Sequence, residues 1–290
     1  MKQRLHQLIA ILAIMAGIAV LWPTTTHAQA SSANNNADRV TVPLSDPERP
    51  VVLKASLLNG SITVKAHAGK DVIVEAKVRD QRESSREGRR RIMIATTGLA
   101  VDEDNNEVRV SADAIQRTID LTILVPVKTS VNLRCVNDGD IKVTGIDGEI
   151  DVDDVNGAVT LEDVSGYAVA HALNGDVKVN FKSINPQKPM AFSSLNGDID
   201  VVFPADLKAN VSIASDRGDV FSDFDIQMQA RSNNVTVQDS RAKGGKYRVR
   251  TDKTVRGTIN GGGQELQFKN FQGSIYIRKV GMPKPDSDKH

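Results

Sequence analysis

The sequence contains one cluster of residues that could do chemistry, a run of carboxylates. Nine acidic residues fall between positions 138 and 163, and the calcium candidates among them are Asp138, Asp140, Asp147, Asp151, Asp153 and Asp154. Carboxylates at the turns of a parallel β-roll can bind Ca²⁺ in stacked sites. The known calcium-binding repeat keeps its aspartate at a fixed position, whereas here the position of Asp140 becomes Glu149, Ala158 and then Tyr167. The pattern therefore favours solvated, outward-facing residues over a regular series of calcium sites.

Other residue types that build active sites are scarce. Cys135 is the single cysteine, and its place in an alternating apolar run indicates a buried structural thiol. Outside the first 30 residues the histidines are His67, His171 and His290, too few for a zinc site of the His/Cys type. Neither a Gly-x-Ser-x-Gly nucleophile elbow nor a phosphate-binding loop occurs. The sequence therefore predicts a protein that is not an enzyme and has no cofactor.

An internal repeat indicates the elements that would position these residues. From Gly139 to Gly175 a glycine recurs every nine residues, in the unit apolar, Asn or Asp, Gly, any residue, apolar, any residue, apolar. Glycine accepts a positive φ and Asn or Asp tolerates it, so each pair is expected to turn the chain at little cost. Each unit is then a corner followed by a short strand with one apolar face. The predicted turn glycines are Gly60, Gly139, Gly148, Gly157, Gly166, Gly175, Gly197, Gly218 and Gly273.

One such unit can bury its apolar face only by stacking on its neighbours. Two nine-residue units would form a coil of about 18 residues, and the later spacings of 22 residues to Gly197 and 21 to Gly218 also suit one coil each. The sequence therefore predicts an all-β solenoid that resembles a β-helix or β-roll, with Asn-Gly and Asp-Gly corners. A stacked β-sandwich of hairpins is the alternative, because Asn-Gly also forms two-residue hairpin loops.

The N-terminal residues indicate export. Lys2 and Arg4 precede an apolar stretch at residues 8–22, and Ala28-Gln29-Ala30 is typical of a signal-peptidase site. Because no later segment is apolar enough to cross a bilayer, no transmembrane span is expected after cleavage. The expected location is the periplasm, the outer-membrane surface or the extracellular space.

Composition divides the chain into four segments: a signal peptide (1–30), a polar, proline-containing flexible leader (31–50), a β-strand repeat domain (51–280) and a disordered tail (281–290). Without the signal peptide, 35 basic residues are balanced by 36 acidic ones. This balance gives no general attraction to nucleic acid, so no nucleic-acid partner is expected.

Two apolar strands and the repeat together carry a family resemblance. Leu121-Thr122-Ile123-Leu124-Val125-Pro126, then Val131-Asn132-Leu133, lead into serial Gly-x-Ile/Val-x-Val units. This arrangement, from about Val51 to Lys279, resembles a family of exported bacterial proteins that are named putative adhesins and contain a domain of unknown function. The resemblance implies a β-solenoid-like fold, a place outside the inner membrane and adhesion, and it brings no catalytic residues.

These observations predict a non-catalytic protein of the cell envelope or surface. Its repeats would form an adhesin-like scaffold that binds an envelope or surface component, protein or polysaccharide. Three alternatives remain: a calcium-dependent or carbohydrate-binding module, a polysaccharide-active β-helix enzyme, and an accessory protein in envelope-stress signalling. The enzyme stays among them because some polysaccharide-active enzymes share the β-helix architecture, and fold does not assign function.

Overall fold

The computed structural model describes residues 37–79, 97–112, 117–229, 235–239, 247–251 and 254–282. The predicted signal peptide lies outside these residues, as does the predicted tail apart from Gly281 and Met282. Within them, no helix is long and apolar enough to cross a membrane. The strands are β1 (Ala37–Pro43), β2 (Val51–Asn59), β3 (Ile62–His67), β4 (Asp71–Val78), β5 (Leu99–Asp104), β6 (Glu107–Ala112), β7 (Ile119–Pro126), β8 (Thr129–Asn137), β9 (Ile141–Thr144), β10 (Asp147–Asp154), β11 (Val159–Ala172), β12 (Val177–Ile184), β13 (Met190–Asn196), β14 (Ile199–Phe203), β15 (Ala209–Arg217), β16 (Val220–Ser222), β17 (Ile226–Met228), β18 (Val235–Asp239), β19 (Tyr247–Thr251), β20 (Val255–Ile259), β21 (Gln264–Gln272) and β22 (Ile275–Lys279).

The strands stack into coils whose neighbours pair in parallel. In a typical coil one strand runs into a glycine corner and the next strand runs out of it, as β8 and β9 do around Gly139. The strands before the corner form a first sheet in the spatial order β6, β2, β8, β10, β11, β13, β21 and β15. Those after the corner form a second sheet in the order β7, β3, β9, β11, β12, β14, β22 and β16. Parallel pairing between coils confirms the predicted solenoid and excludes a sandwich of hairpins for these strands.

The order of coils in space differs from their order in the chain near both ends. The β2–β3 coil lies between β6–β7 and β8–β9. The β21–β22 coil lies between β13–β14 and β15–β16. The 21-residue spacing suits the length of one coil but does not join neighbours in space, because Gly218 stacks on Gly273 and Gly273 stacks on Gly197. A spacing in sequence measures chain length and does not say which edge a strand pairs with.

Antiparallel strands flank the parallel stack. β5 pairs with β6, β4 pairs with β7 and β1 pairs with β4 near one end, while β20 pairs with β15 and β17 with β20 near the other. β1 falls inside the predicted flexible leader, residues 31–50, and the leader prediction does not hold for this strand. Val42 is buried and Val40 packs against the core. The apolar contacts of these two alternating valines explain why this polar segment joins the sheet as a strand. The β-fold thus begins before the predicted boundary at residue 51.

The alternating apolar residues of the repeat form one continuous core between the two sheets. Ile141, Ile150, Val159 and Val177 are all fully buried. Each such side chain contributes about 1.5–3 kcal/mol through the apolar surface it removes from water. The stacking of many short strands therefore supplies the interior that one unit cannot form alone.

A ladder of asparagine side chains follows the corner from coil to coil. Four asparagines each donate a hydrogen bond from Nδ2 to the Oδ1 of the asparagine in the preceding coil, over distances of 2.7–3.3 Å, and Asn59 is the first acceptor. The members are Asn59, Asn137, Asn156, Asn174 and Asn196. The asparagine of the repeat therefore has a second role besides turn formation, since it ties adjacent coils together.

We expect Asn156→Ala to lower the free energy of unfolding by about 1–2 kcal/mol, because it removes two hydrogen bonds of about 0.5–1.5 kcal/mol each. The bonds lost join Asn156 to Asn137 and to Asn174. Urea denaturation measures the change. Asn180→Ala, at an exposed position of β12, is the matched control and should alter stability by less than about 0.5 kcal/mol. Equal losses in the two variants would show that the ladder adds nothing to stability.

Candidate functional site

The predicted turn glycines lie in two columns. Seven of the nine stack at one corner: Gly60, Gly139, Gly157, Gly175, Gly197, Gly273 and Gly218. The other two, Gly148 and Gly166, are paired partners inside β10 and β11. The nine-residue spacing of the sequence therefore alternates between two positions of an 18-residue coil.

Close approach of neighbouring backbones explains most of these glycines. A Cβ built on any of the four central corner glycines, from Gly139 to Gly197, would lie 2.1–2.4 Å from a backbone atom of the glycine one coil below. Of the corner column, Gly60 and Gly273 have a positive φ, 129° and 120°. The expectation that a positive φ selects all these glycines is wrong, because five of the seven corners lack one. Contact between coils selects them instead.

The aspartates that follow the corner glycines bind backbone groups of the next coil. Asp140 Oδ1 accepts a hydrogen bond from the Ala158 N–H at 2.8 Å. Asp176 Oδ1 accepts one from the Asp198 N–H at 3.0 Å, and Asp198 Oδ1 accepts one from the Ser274 N–H at 2.8 Å. The Gly-Asp pairs of the repeat therefore have a structural role as bridges between coils.

The calcium candidates do not converge on one point. Five are exposed or half-buried: Asp138, Asp140, Asp147, Asp151 and Asp153. Asp154 differs because its side chain is fully buried among the inward-facing residues of β10. Among the described residues, no group of three or more His, Cys, Asp or Glu side chains is arranged to hold a metal ion. The geometry thus gives no support to the series of calcium sites that the acidic cluster suggested.

An open cavity of about 440 Å³ lies over β11, β13, β21 and β15, beside the glycine corner. We call it the corner groove and define it by His171, Leu173, Ser193, Leu195, Lys269 and Phe271. Five of these residues come from three strands that are consecutive in the stack, and Leu173 directly follows the first of them, β11. Since the strands pair in parallel, equivalent positions repeat about 4.8 Å apart across the groove.

One row of the corner groove is polar. Ser193 pairs in register with His171 on one side and with Lys269 on the other. The His171 Nδ1 and the Ser193 Oγ are 2.7 Å apart and share a hydrogen bond. A serine nucleophile also needs a third group to orient its histidine; Asp153 of β10 pairs in register with His171 on the other side, but among the described residues no hydrogen bond joins its carboxylate to the imidazole. This row can therefore bind a ligand through hydrogen bonds and the charge of Lys269.

The second row of the corner groove is apolar from Leu173 to Phe271 and partly open to solvent, and on β15 the lining continues with the carboxylate of Asp216. Leu195 and Phe271 expose 39% and 40% of their surfaces, and Leu173 is half-buried beside them. The Arg217 guanidinium lies 5.4 Å from the centre of the Phe271 ring, a distance at which a cation is attracted to the ring face. An apolar row beside a polar row is the arrangement expected of a binding site.

Sequence reasoning did not find the corner groove. Its residues are far apart in the chain. Lys269 and Phe271 lie next to β13 because the β21–β22 coil stacks on the β13–β14 coil. One signal was available: Leu195 lies one position beyond Ser194, out of phase with the buried Phe192, so alternation assigns this leucine to the outer face. The repeated apolar residue before Asn-Gly could therefore have been recognised as exposed.

Comparison with known proteins gives one family and two distant structural matches. The sequence model of a family described as Toastrack DUF4097 matches residues 24–260. No curated protein matches the chain. Among solved structures, a putative cell adhesion protein from Clostridium sporogenes ATCC 15579 is 11% identical, with 84% of this chain and 99% of that chain covered at a TM-score of 0.40. A putative adhesin from Bacteroides fragilis NCTC 9343 is 12% identical, with 84% and 97% covered at a TM-score of 0.32.

Proposed function

The chain belongs to the Toastrack DUF4097 family, and from this premise we propose that it is a non-catalytic scaffold of the cell envelope or cell surface. The stacked coils hold the corner groove in a fixed shape, and the groove binds a component of the envelope. The observation that carries this proposal is the groove itself, a cavity of about 440 Å³ with one polar and one apolar row.

The chemistry of the groove favours a protein partner over a polysaccharide. Leu173 and Leu195 present aliphatic surface, which buries apolar side chains of a protein better than it buries hydroxyl-rich sugars. Sugar rings usually stack on aromatic faces, but the Arg217 guanidinium already lies over the Phe271 ring. Lys269 adds a positive charge that can pair with an acidic residue of the partner.

The proposal includes export from the cytoplasm. Residues 1–30, which lie outside the described residues, have the composition and the small-x-small site of a signal peptide. Whether the partner meets the scaffold in the periplasm or on the outer surface is decided by protease treatment of intact cells, since a surface protein is digested and a periplasmic one is protected.

A charge reversal in the groove tests the proposal. We expect Lys269→Glu to weaken binding of the purified chain to isolated envelopes by at least about tenfold, roughly 1.4 kcal/mol. Lys65→Glu is the matched control, because Lys65 is an exposed lysine of β3 in the second sheet, away from the groove. Sedimentation of the chain with increasing amounts of envelope measures both affinities.

The two classes of partner are separated by pretreating the envelopes. Digestion with protease should abolish binding, and digestion with glycosidases should leave it unchanged. Equal affinities for the Lys269→Glu and Lys65→Glu variants would contradict the groove as the binding site. Binding that survives protease would contradict a protein partner.

A further inference from the structure

A column of side chains points inward at the last core position before the glycine corner. Register pairs its members across successive coils of the first sheet. The members, in spatial order, are Leu57, Cys135, Asp154, Ala172, Ser194, Asn270 and Ser215. Five of the seven are thus polar or weakly polar, in a position where the rest of the core is apolar.

Three members of this column donate a hydrogen bond to the corner glycine of the preceding coil. Cys135 Sγ donates to the Gly60 carbonyl oxygen at 2.9 Å. Ser194 Oγ donates to the Gly175 carbonyl oxygen at 2.9 Å, and Asn270 Nδ2 donates to the Gly197 carbonyl oxygen at the same distance. The common feature of these three members is therefore a hydrogen-bond donor that satisfies a corner carbonyl oxygen.

Asp154 occupies the same place between Cys135 and Ala172. The corner glycine of the preceding coil is Gly139. Its carbonyl oxygen and the Asp154 side chain both lie beside Gly157. A Cβ built on Gly157 would lie 2.1 Å from the Gly139 carbonyl oxygen and 2.9 Å from Asp154 Oδ2. A carboxylate has no hydrogen to donate, and both Asp154 oxygens lack a hydrogen-bond partner among the described residues.

We propose that Asp154 is a protonated carboxylic acid in the folded protein and donates a hydrogen bond to the carbonyl oxygen of Gly139. This places Asp154 in the same role as Cys135, Ser194 and Asn270. The proton then becomes part of the contact between the β8–β9 coil and the β10–β11 coil. The stability of that contact depends on pH, although its neighbours in the column do not titrate near neutrality.

The surroundings of Asp154 favour the neutral form. Burial raises its pKa from 3.8 to about 7, and the nearby negative charges of Asp140 and, more weakly, Asp153 act in the same direction. The Asn156 backbone N–H opposes this rise, but it does not reach hydrogen-bond geometry with either oxygen. The paired residue on β11 is Ala172, which carries no charge.

Cys135 is the titratable group that faces Asp154 from β8. Burial, reinforced by the charge of Asp154, raises the pKa of the Cys135 thiol to about 12. The thiol therefore stays protonated and keeps its bond to Gly60. Arg79, the cation that acts on Cys135, is bound to the Asp120 carboxylate, so it does not serve as a counter-ion for Asp154.

The direction of the pH effect follows from these values. Between about pH 4 and about pH 7 the folded protein holds a proton on Asp154 that the unfolded chain has released. The unfolded state binds fewer protons, so the free energy of unfolding falls as pH rises through this window and levels off above it. One such group changes the folding equilibrium constant by up to about tenfold per pH unit.

Asparagine at position 154 tests the proposal, since its Nδ2 can donate to Gly139 as that of Asn270 donates to Gly197. Urea denaturation of the full chain is measured from pH 4.5 to pH 8.5. The ratio of folding equilibrium constants, Asp154→Asn over wild type, should rise by up to about tenfold per pH unit and become constant above about pH 7. Asp154→Ser, which supplies the same hydroxyl donor as Ser194, should show the same trend. Asp147→Asn, at an exposed position of β10, should leave the pH profile of the wild type unchanged.

Infrared spectroscopy provides a readout that does not depend on stability. At pH 6 the wild type should show the carbonyl band of a protonated carboxylic acid, and Asp154→Asn should lack it. A ratio that does not change with pH would overturn the proposal, as would an Asn and a Ser variant that are both less stable than the wild type at pH 8. A stability increase in millimolar Ca²⁺ that EDTA reverses, seen in the wild type and absent from Asp154→Asn, would also overturn it, because Asp154 would then be an ionised cation ligand.

Discussion

Alanine at Gly175 is expected to lower the free energy of unfolding by about 4 kcal/mol, a loss typical of severe overpacking or backbone strain. The added Cβ would lie 2.1 Å from the Gly157 carbonyl oxygen and 2.6 Å from its carbonyl carbon. Neither contact is with a flexible side chain, so the backbones of two coils must move apart. That movement also stretches the hydrogen bond from Asn174 to Asn156. Urea denaturation and the thermal midpoint measure the loss.

Gly261→Ala is the control that separates close approach from conformational strain. Gly261 has a φ of 84°, and a Cβ built there meets nothing within 4 Å. Its substitution should cost about 1–2 kcal/mol, the strain of an L-residue in the left-handed region. If Gly175→Ala were no more harmful than Gly261→Ala, backbone contact between coils would not be the reason for the corner glycines.

The period of the repeat was sufficient to predict the coil and the core. Alternation assigned Ile141 and Ile150 to the interior, and both are fully buried. This works because the strand period of two and the recurring corner together fix which side chains face inward. The physical reason for the glycines could not be obtained in the same way, since a close approach between backbones exists only after the coils are stacked.

The repeat does not predict that the spatial order of the coils differs from their chain order near the two ends. Every coil presents similar parallel edges and a similar apolar face, so the β21–β22 coil fits beside β13–β14 as well as the β15–β16 coil would. The placement of β21 decides that Lys269 pairs with Ser193. The corner groove therefore depends on the pairing of β21 with β13, which the periodicity of the sequence does not predict.

The buried Asp154 illustrates a different limit. In the sequence it belongs to an acidic run with Asp151 and Asp153 and looks equally solvated. Asp154 lies two residues after Val152 and four after Ile150, so the alternation of the strand does predict an inward side chain. Composition suggested a metal ligand, whereas position in the strand identifies a core carboxyl. Register with Cys135 and Ser194 was then needed to reveal its hydrogen-bonding role.

Alanine at Phe192 is expected to lower the free energy of unfolding by about 3–5 kcal/mol, the range for truncating a buried aromatic residue. Phe192 is 1% exposed and joins the two sheets. Its ring centre lies 5.4 Å from that of Phe268 in the first sheet, and 6.2 Å from those of Phe181 and Phe203 in the second. Urea denaturation measures the loss, and envelope sedimentation under native conditions measures its effect on binding.

Binding should weaken along with stability, because the aromatic cluster lies directly behind the corner groove. Ser193 and Lys269 follow Phe192 and Phe268 in their strands and point to the opposite face. Phe221→Ala is the control: this ring is 48% exposed and stacks on Tyr276 at 5.1 Å, so its loss should cost less than about 1 kcal/mol. If Phe192→Ala still bound envelopes like the wild type, the shape of the groove would not depend on the core behind it. Rigid presentation of the groove by the solenoid would then fail as the basis of the proposed function.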